Sequence, residues 1–281
     1  MSTPARPARP ARRPLPLGAE VRRQLGRRRT RLILGFLLLL PLLLVGAFAL
    51  GGDDEPGAAP SFVDLAQVGA ANLTVFTLFA STGFLLVVVV ALFWGDAVPA
   101  EASWASLRYL LVAPVPRGRL LTVKLAVAAL STAVALVLLP AWTLLVGLVA
   151  YGGAPYQGLA GETIAWPDLW PRLGVAVAYL FVNLLFVGAL AFFVGTLTDA
   201  PLGAVGTAVV VTIVSSILDT IDALGDLRDA LPTHFQFAWA DVLAAEVDGS
   251  AMATGATWSV GWAVLLLGAS YVVFARKDVL T

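Results

Sequence analysis

Long uninterrupted runs of apolar residues alternate along this chain with short polar segments. An α-helix rises about 1.5 Å per residue and the hydrocarbon core of a bilayer is about 30 Å thick, so roughly 20 apolar residues make one crossing. Six runs of about that length or more predict six transmembrane helices, at about 32–50, 72–94, 120–150, 173–197, 202–218 and 258–274. The pattern therefore predicts an all-α, polytopic integral membrane protein.

Proline marks two predicted irregularities in the apolar runs, a break between the fourth and fifth and a kink within the third. The apolar stretch 173–218 is too long for one crossing, and Thr198-Asp199-Ala200-Pro201 divides it, because proline ends a helix and aspartate is costly in lipid. The third run is longer than a crossing needs, and Pro140 marks a candidate kink within it. Four glycines in the later spans predict close helix packing: Gly188, Gly195, Gly203 and Gly206.

The charged residues predict an orientation for the six spans. Ten arginines precede the first span, four basic residues follow the second, and two lie in the tail, so 16 of the 18 Lys and Arg residues share one side. Only Arg172 and Arg228 lie opposite, where 13 of the 18 acidic residues also fall. Because basic residues concentrate in cytoplasmic loops, both termini are predicted to be cytoplasmic.

Composition narrows the chemistry further. Hydrophobic residues make up 59% of the 281 and charged residues 13%, about half the share typical of soluble domains, and the mean hydropathy is +0.88. Without cysteine, disulfides and thiolate sites are excluded. His234 is the single histidine, expected in a surface loop and unsuited to metal binding by itself. We expect neither a metal nor a cofactor on this chain.

The segments outside the spans have distinct compositions. Residues 1–31 predict a disordered basic tail followed by an interfacial helix over 17–31, with Val21 and Leu25 facing lipid and arginines reaching the headgroups. The six-span domain then covers 32–275, and 276–281 form a cytoplasmic tail. The outer segment 219–256 predicts a short interfacial or re-entrant helix over 234–247. Tyr156, Trp166 and Trp170, in the outer loop 151–170, predict interfacial anchors or, alternatively, the lining of a substrate route.

The loop after the second span has the most informative pattern. Pro99 suits a first helical turn, and a helix over 99–112 places Trp104, Leu107 and Leu111 on one face. Pro114 and Pro116 then force an extended break. Lys124 lies one turn inside the third span, from which it is expected to snorkel to the inner membrane surface.

At this loop the chain resembles the ABC-2 family of transporter permeases. The matching pattern is an acidic residue after the second span, the Leu-rich run SLRYLL at 106–111, then Pro114-Val115-Pro116-Arg117, Leu120-Leu121 and a lysine. The basic helix before the first span, the six spans and the ending Phe274-Ala275-Arg276-Lys277-Asp278 extend the resemblance along most of the chain. The family's acidic position corresponds to Asp96 or Glu101, and we favour Glu101.

The resemblance implies an ABC-2 (type V exporter-like) architecture and the membrane-spanning subunit of an ABC exporter in the plasma membrane. It implies a dimer with a second permease chain, identical or different, and a separate P-loop ATPase into which the loop 96–119 docks. The residues it assigns to this coupling are Asp96, Glu101, Trp104, Leu107, Arg108, Leu111, Pro114, Pro116, Arg117, Arg119 and Lys124.

The chain itself carries no sequence of the form G-x-x-x-x-G-K-[ST], so ATP and Mg²⁺ are expected on the partner subunit and this chain is not expected to be an enzyme. No nucleic-acid partner is expected. A secondary transporter or channel remains the main alternative, although the spans hold few ionisable residues to mark an ion path. A membrane-embedded enzyme or a passive assembly subunit are further alternatives. The residues leave the substrate and the direction of transport open.

Overall fold

The computed structural model describes residues 17–51, 61–99 and 117–276. It is about 81% helical. Ten α-helices lie in the described part: α1 Leu17–Gly26, α2 Arg28–Leu50, α3 Phe62–Ala66, α4 Ala70–Thr82, α5 Leu85–Gly95, α6 Arg117–Tyr151, α7 Trp166–Asn183, α8 Leu185–Leu197, α9 Pro201–Asp219 and α10 Ser250–Arg276. A two-stranded antiparallel hairpin, β1 Tyr156–Gln157 and β2 Thr163–Ile164, and two 3-10 helices, Asp222–Ala230 and Ala238–Leu243, complete it.

Five of these units are long and apolar enough to cross a bilayer: α2, α6, α7 together with α8, α9 and α10. The number is six if α4 and α5, a pair bent by 59° at a short break, count as one span. The pair connects the two ends of the bundle, because Ala70 donates its backbone N–H to Gly152 just after α6, whereas Asp96 contacts arginines at the start of α2. The chain is therefore an all-α polytopic membrane protein.

We name the two ends of the bundle by what they carry. The end where α1, the last turn of α5 and the first turns of α6 meet is the basic face. The other end, which carries the β-hairpin and the two 3-10 helices, is the opposite face. Arg172, one of the two basic residues predicted to lie away from the others, donates to the carbonyls of Val242 and Ala244 on the opposite face.

The break between α4 and α5 was not predicted. Gly83 caps α4 at its C-terminus, and Phe84 departs from helical geometry with φ −139° and ψ −56°. Glycine is a poor helix former, and Thr82 bonds back to the carbonyl of Leu78, a contact that tends to bend helices. The apolar run hides this break, because it continues on both sides of Gly83.

The break between α8 and α9 is confirmed. α8 ends at Leu197 and α9 begins at Pro201, a first-turn position that suits a residue without an N–H. The predicted kink at Pro140 does not interrupt the third span, since α6 is one continuous helix with Pro140 inside it.

Three predictions about the opposite face need correction. The helix expected over 234–247 is wrong: that segment contains turns and the 3-10 helix Ala238–Leu243. The fourth span begins at Trp166, earlier than expected, because Pro167 suits the first turn and Leu169 is buried against the bundle. The sixth likewise begins earlier, at Ser250.

The centre of the bundle is packed through glycines. A methyl group on Gly188 would lie 2.6 Å from the ring of Trp94, whose indole donates to Thr132 at 2.9 Å. A methyl group on Gly195 would lie 3.2 Å from the carbonyl oxygen of Gly95. The prediction of close packing holds for these two glycines. It is wrong for Gly203 and Gly206, whose Cβ positions meet at most an ordinary contact.

Candidate functional site

The first helix lies against the basic face with polar side chains turned inward. Glu20 and Gln24 are buried, whereas Arg22, Arg23 and Leu25 are exposed. The spacing of four residues places Glu20 and Gln24 on one side of α1. The exposed Leu25 fits the predicted contact with lipid, but the face of α1 that packs on the protein is the polar one.

Lys124 on α6 contacts the polar face of α1. Its Nζ donates to Oε1 of Glu20 at 3.1 Å, and Glu20 also lies 3.4 Å from Arg23. Lys124 is only 3% exposed. The prediction that Lys124 snorkels to the membrane surface is therefore wrong, because α1 covers Lys124 and supplies the carboxylate of Glu20 as its partner.

Asp96 is held by two arginines from the junction of α1 and α2. Its carboxylate accepts from Arg27 at 3.1 Å and from Arg29 at 2.8 Å, and the residue is 6% exposed. Burial raises the pKa of Asp96, and the two arginines act in the opposite direction without cancelling it. Arg27 and Arg29 therefore bind a protein carboxylate, where the sequence had predicted lipid headgroups.

A small cavity of about 10 Å³ joins these two ion pairs, enough for about one water molecule. It lies among α1, α5 and α6. Its lining residues are Glu20, Gln24, Arg27, Phe93, Ala97, Lys124, Val127 and Ala128. Glu20 and Lys124 of one ion pair and Arg27 of the other thus line the same small cavity.

The far end of the predicted docking loop is also attached to a span. Arg117, the first residue of α6, donates to the carbonyl of Ala275 at 3.0 Å near the end of α10. One turn later Thr122 and Tyr271 form a hydrogen bond of 2.7 Å between the same helices. Arg119 is exposed and has no ion-pair partner in the described ranges. The loop 96–119 is therefore anchored where it leaves α5 and where it enters α6.

The middle of that loop lies outside the described residues. This applies to Glu101, Trp104, Leu107, Arg108, Leu111, Pro114 and Pro116, and to all but the first residue of the helix predicted over 99–112. Their coupling roles, and the choice of Glu101 over Asp96, stay predictions. Of the predicted site residues, the structure brings Asp96 and Lys124 to the same side of α1.

The aromatic residues of the outer loop divide into two groups. Tyr156 is buried in the hairpin, so its predicted role as an interfacial anchor is wrong. Trp166 donates to the carbonyl of Gly153 at 2.8 Å, and Trp170 is 57% exposed with its ring 5.8 Å from that of Trp166. The two tryptophans retain the geometry of an anchor pair.

His234 is more constrained than a simple surface-loop histidine. Its Nδ1 lies 2.5 Å from Asp219 and its Nε2 3.4 Å from Asp229. Arg228 also contacts this group, at 3.7 Å from Asp219 and 2.7 Å from Asp222. Within the described ranges, no group of three or more His, Asp or Glu side chains is arranged to hold a metal ion. This network ties the first 3-10 helix to α9.

Sequence reasoning missed Glu20, the residue that organises the basic face. A single acid inside an otherwise basic segment was the available signal, since Glu20 is the only acidic residue before Asp53. The pattern could not identify Lys124 as its partner, because the two residues are 104 positions apart.

A family model matches residues 44–280 of this chain, and its description is protein of unknown function (DUF2705). No curated protein matches the chain. Since the match covers most of the sequence, the chain belongs to the DUF2705 family.

Proposed function

We propose that this member of the DUF2705 family is the transmembrane permease subunit of an ABC transporter with an ABC-2 (type V exporter-like) architecture. It exports a substrate across the plasma membrane, pairs with a second permease chain, and is powered by a separate P-loop ATPase. Asp96, Lys124 and the loop 96–119 transmit the motion of that ATPase to the spans.

One observation carries this proposal: both ends of the loop are fixed to span ends by charged side chains. Asp96 joins the end of α5 to Arg27 and Arg29 at the start of α2, and Arg117 joins the start of α6 to α10. A loop attached in this way moves four spans when it is displaced. That property is what a coupling element needs, because force applied to a freely moving loop would not reach the helices.

The distribution of basic residues supports a cytoplasmic location for the basic face. The face that carries the two anchors holds Arg27, Arg29, Arg117, Arg119 and Lys124. Basic residues beside spans favour the cytoplasmic side, where an ATPase would bind. The mechanism follows from this placement: ATP binding by the partner closes its subunits, the loop is displaced, and the four spans attached to it, α2, α5, α6 and α10, move with it.

The test is co-expression with a P-loop ATPase encoded next to this chain. Glu101→Arg reverses the charge at the proposed docking position and should lower ATP hydrolysis by the complex at least tenfold, with unchanged insertion of the permease. Asp226→Arg makes the same charge change at an exposed site on the opposite face and should leave hydrolysis unchanged.

Two results would count against the proposal. One is full hydrolysis, and full co-purification with the ATPase, by the Glu101→Arg variant. The other is solute movement in ATPase-free vesicles driven by an ion gradient, which would favour the secondary-transporter alternative.

A further inference from the structure

A cavity of about 230 Å³ lies on the opposite face, between α3, α4, the β-hairpin and the second 3-10 helix. Binding pockets for drug-sized ligands span roughly 300–1,000 Å³, so this volume suits a smaller molecule. Among the residues that line it are Phe62, Asn72, Phe79, Tyr156, Glu162 and Asp241.

Aromatic rings form a prearranged wall of this cavity. Phe79 lies with its ring 5.4 Å from that of Phe62 and stacks on Phe237 at 4.7 Å. A third ring, that of Trp239, meets Phe79 edge-on at 6.0 Å. These contacts restrain Phe79 without a ligand. Aromatic rings attract cations that approach their faces.

The hairpin that closes the cavity is bonded to α4. Asn72 donates from Nδ2 to the carbonyl of Gln157 at 2.7 Å and accepts from the Gln157 N–H at 3.0 Å. The amide of Asn72 therefore holds the hairpin in place. Tyr156, on the same strand, contributes another ring to the lining.

Two carboxylates, Glu162 and Asp241, complete the lining, and neither has an ion pair or hydrogen bond among the described residues. Among the residues that the structure describes, no Lys or Arg lines the cavity. The neighbouring Arg172 donates to the carbonyls of Val242 and Ala244. Burial, together with Asp248, raises the pKa of Asp241, and burial and Glu162 raise that of Tyr156. Glu162 and Asp241 thus give the cavity negative charge, and no Lys or Arg in the described ranges lies in the lining to balance it.

The position of Glu162 depends on a tight turn. Gly161 adopts φ +87°, which favours glycine, and the N–H of Gly158 donates to the carbonyl of Glu162 at 2.9 Å. The Glu162 side chain folds directly over Gly158, where an added methyl group would collide with its carboxylate. The turn therefore fixes where this charge is presented.

We propose that this cavity binds a small monovalent organic cation with an aromatic or other apolar body. Aromatic walls and uncompensated carboxylates favour such a ligand over a metal ion, for which no suitable group of ligating side chains exists in the described ranges. They disfavour anions of the same size. This binding goes beyond the proposed ATP-driven transport, because it requires this chain alone.

The experiment measures equilibrium binding to the purified full-length chain in lipid nanodiscs without any ATPase. The probes are benzyltrimethylammonium, tetramethylammonium and benzenesulfonate. We expect saturable binding of benzyltrimethylammonium, at least tenfold weaker binding of tetramethylammonium because it lacks the ring, and no binding of benzenesulfonate. Equal binding of the cation and the sulfonate would overturn the proposal.

Variants locate the site. Asp241→Asn and Glu162→Gln should each weaken binding of benzyltrimethylammonium about tenfold, and the double variant should abolish it. Gly158→Ala should also weaken binding, since it displaces the Glu162 carboxylate without changing the charge of the chain. Asp168→Asn removes an exposed carboxylate that does not line the cavity and should have no effect.

Unchanged binding by the double variant would place the cation elsewhere and overturn the proposal. The ligand series on the unaltered chain keeps the test valid if a variant fails to fold. Because no ATPase is present, failure here leaves the hydrolysis result with Glu101→Arg unaffected, and the two proposals are judged separately.

Discussion

Glu20 on α1 and Lys124 on α6 form an ion pair of 3.1 Å in which the two side chains are 11% and 2% exposed. The pair fastens a helix rich in arginine to the end of a transmembrane span. Its carboxylate belongs to the only acidic residue of the first 52. The attachment of α1 to the bundle therefore depends on a charge that opposes the overall charge of its own segment.

Breaking this pair from one side should be costly. In Lys124→Met the Glu20 carboxylate loses its contact with the buried ammonium, and in Glu20→Met the ammonium loses its contact with this carboxylate. Loss of one partner of a buried pair costs about 3–5 kcal/mol, whereas apolar replacement of both is often nearly neutral. We expect each single variant to unfold at a lower temperature in detergent and the double variant Glu20→Met/Lys124→Met to recover at least half of the loss. Additive losses would contradict the pairing.

Asp96 should be coupled more strongly to Arg27 than to Arg29. The Arg29 contact is shorter, at 2.8 Å against 3.1 Å, but its side chain is 53% exposed and that of Arg27 is 20% exposed. Solvent screens an exposed pair to about 1 kcal/mol or less. Double-mutant cycles of Asp96→Asn with Arg27→Gln and with Arg29→Gln, measured by denaturant unfolding, should rank the coupling in that order. The reverse order would contradict it.

Gly188 and Gly206 should respond in opposite ways to alanine. At Gly188 the methyl group would meet Trp94 at 2.6 Å, so Gly188→Ala should destabilise the bundle by about 1–3 kcal/mol. At Gly206 nothing lies within 4 Å, and alanine should stabilise the exposed helix by up to about 1 kcal/mol. Thermal unfolding of the two variants provides the comparison. A similar change in both would show that the packing around Trp94 is looser than described.

The sequence predicted the spans better than the contacts between them. Hydrophobic length located the five long apolar spans and the bent pair of α4 and α5, since a span must match the bilayer, and Asp199-Ala200-Pro201 marked the turn between α8 and α9. The break at Gly83 was not predicted because the apolar run continues on both sides of it. The starts of α7 at Trp166 and of α10 at Ser250 were not predicted, because the first turns of these helices lie in polar or mixed sequence.

The candidate site is formed by ion pairs between residues far apart in the sequence, and hydrophobic periodicity does not predict such pairs. Asp96 and Lys124 were predicted to be important, but their partners were not. Arg27 and Arg29 had equally good expected partners in lipid headgroups, and only the fold brings them to a residue 67 or more positions away. Tyr156 was misplaced for a related reason, since an aromatic residue beside a span has the same local pattern whether it is buried or interfacial.

The ionised carboxylate of Asp241 should favour binding of the proposed cation and, at the same time, lower the stability of the folded chain. Burial and the nearby Asp248 raise the pKa of Asp241 in the folded chain, so its ionised form is disfavoured by folding. The folded state then binds more protons, and this contribution to stability is present below the unfolded pKa and lost as pH rises through the folded pKa. Asp241→Asn should therefore raise Tm at neutral pH by about 1–2 °C, with the gain fading as pH falls toward 4. A constant gain across this range would exclude protonation of Asp241 as the cause.

The location of the loop 96–119 tests the central claim most directly. The chain contains no cysteine, so Leu110→Cys introduces a unique thiol in the middle of this loop, and Asp226→Cys introduces one on the opposite face. A membrane-impermeant maleimide applied to intact cells should label residue 226 and not residue 110. After permeabilisation it should label residue 110, and co-expressed ATPase should protect that thiol. Labelling of residue 110 from outside intact cells would contradict the account.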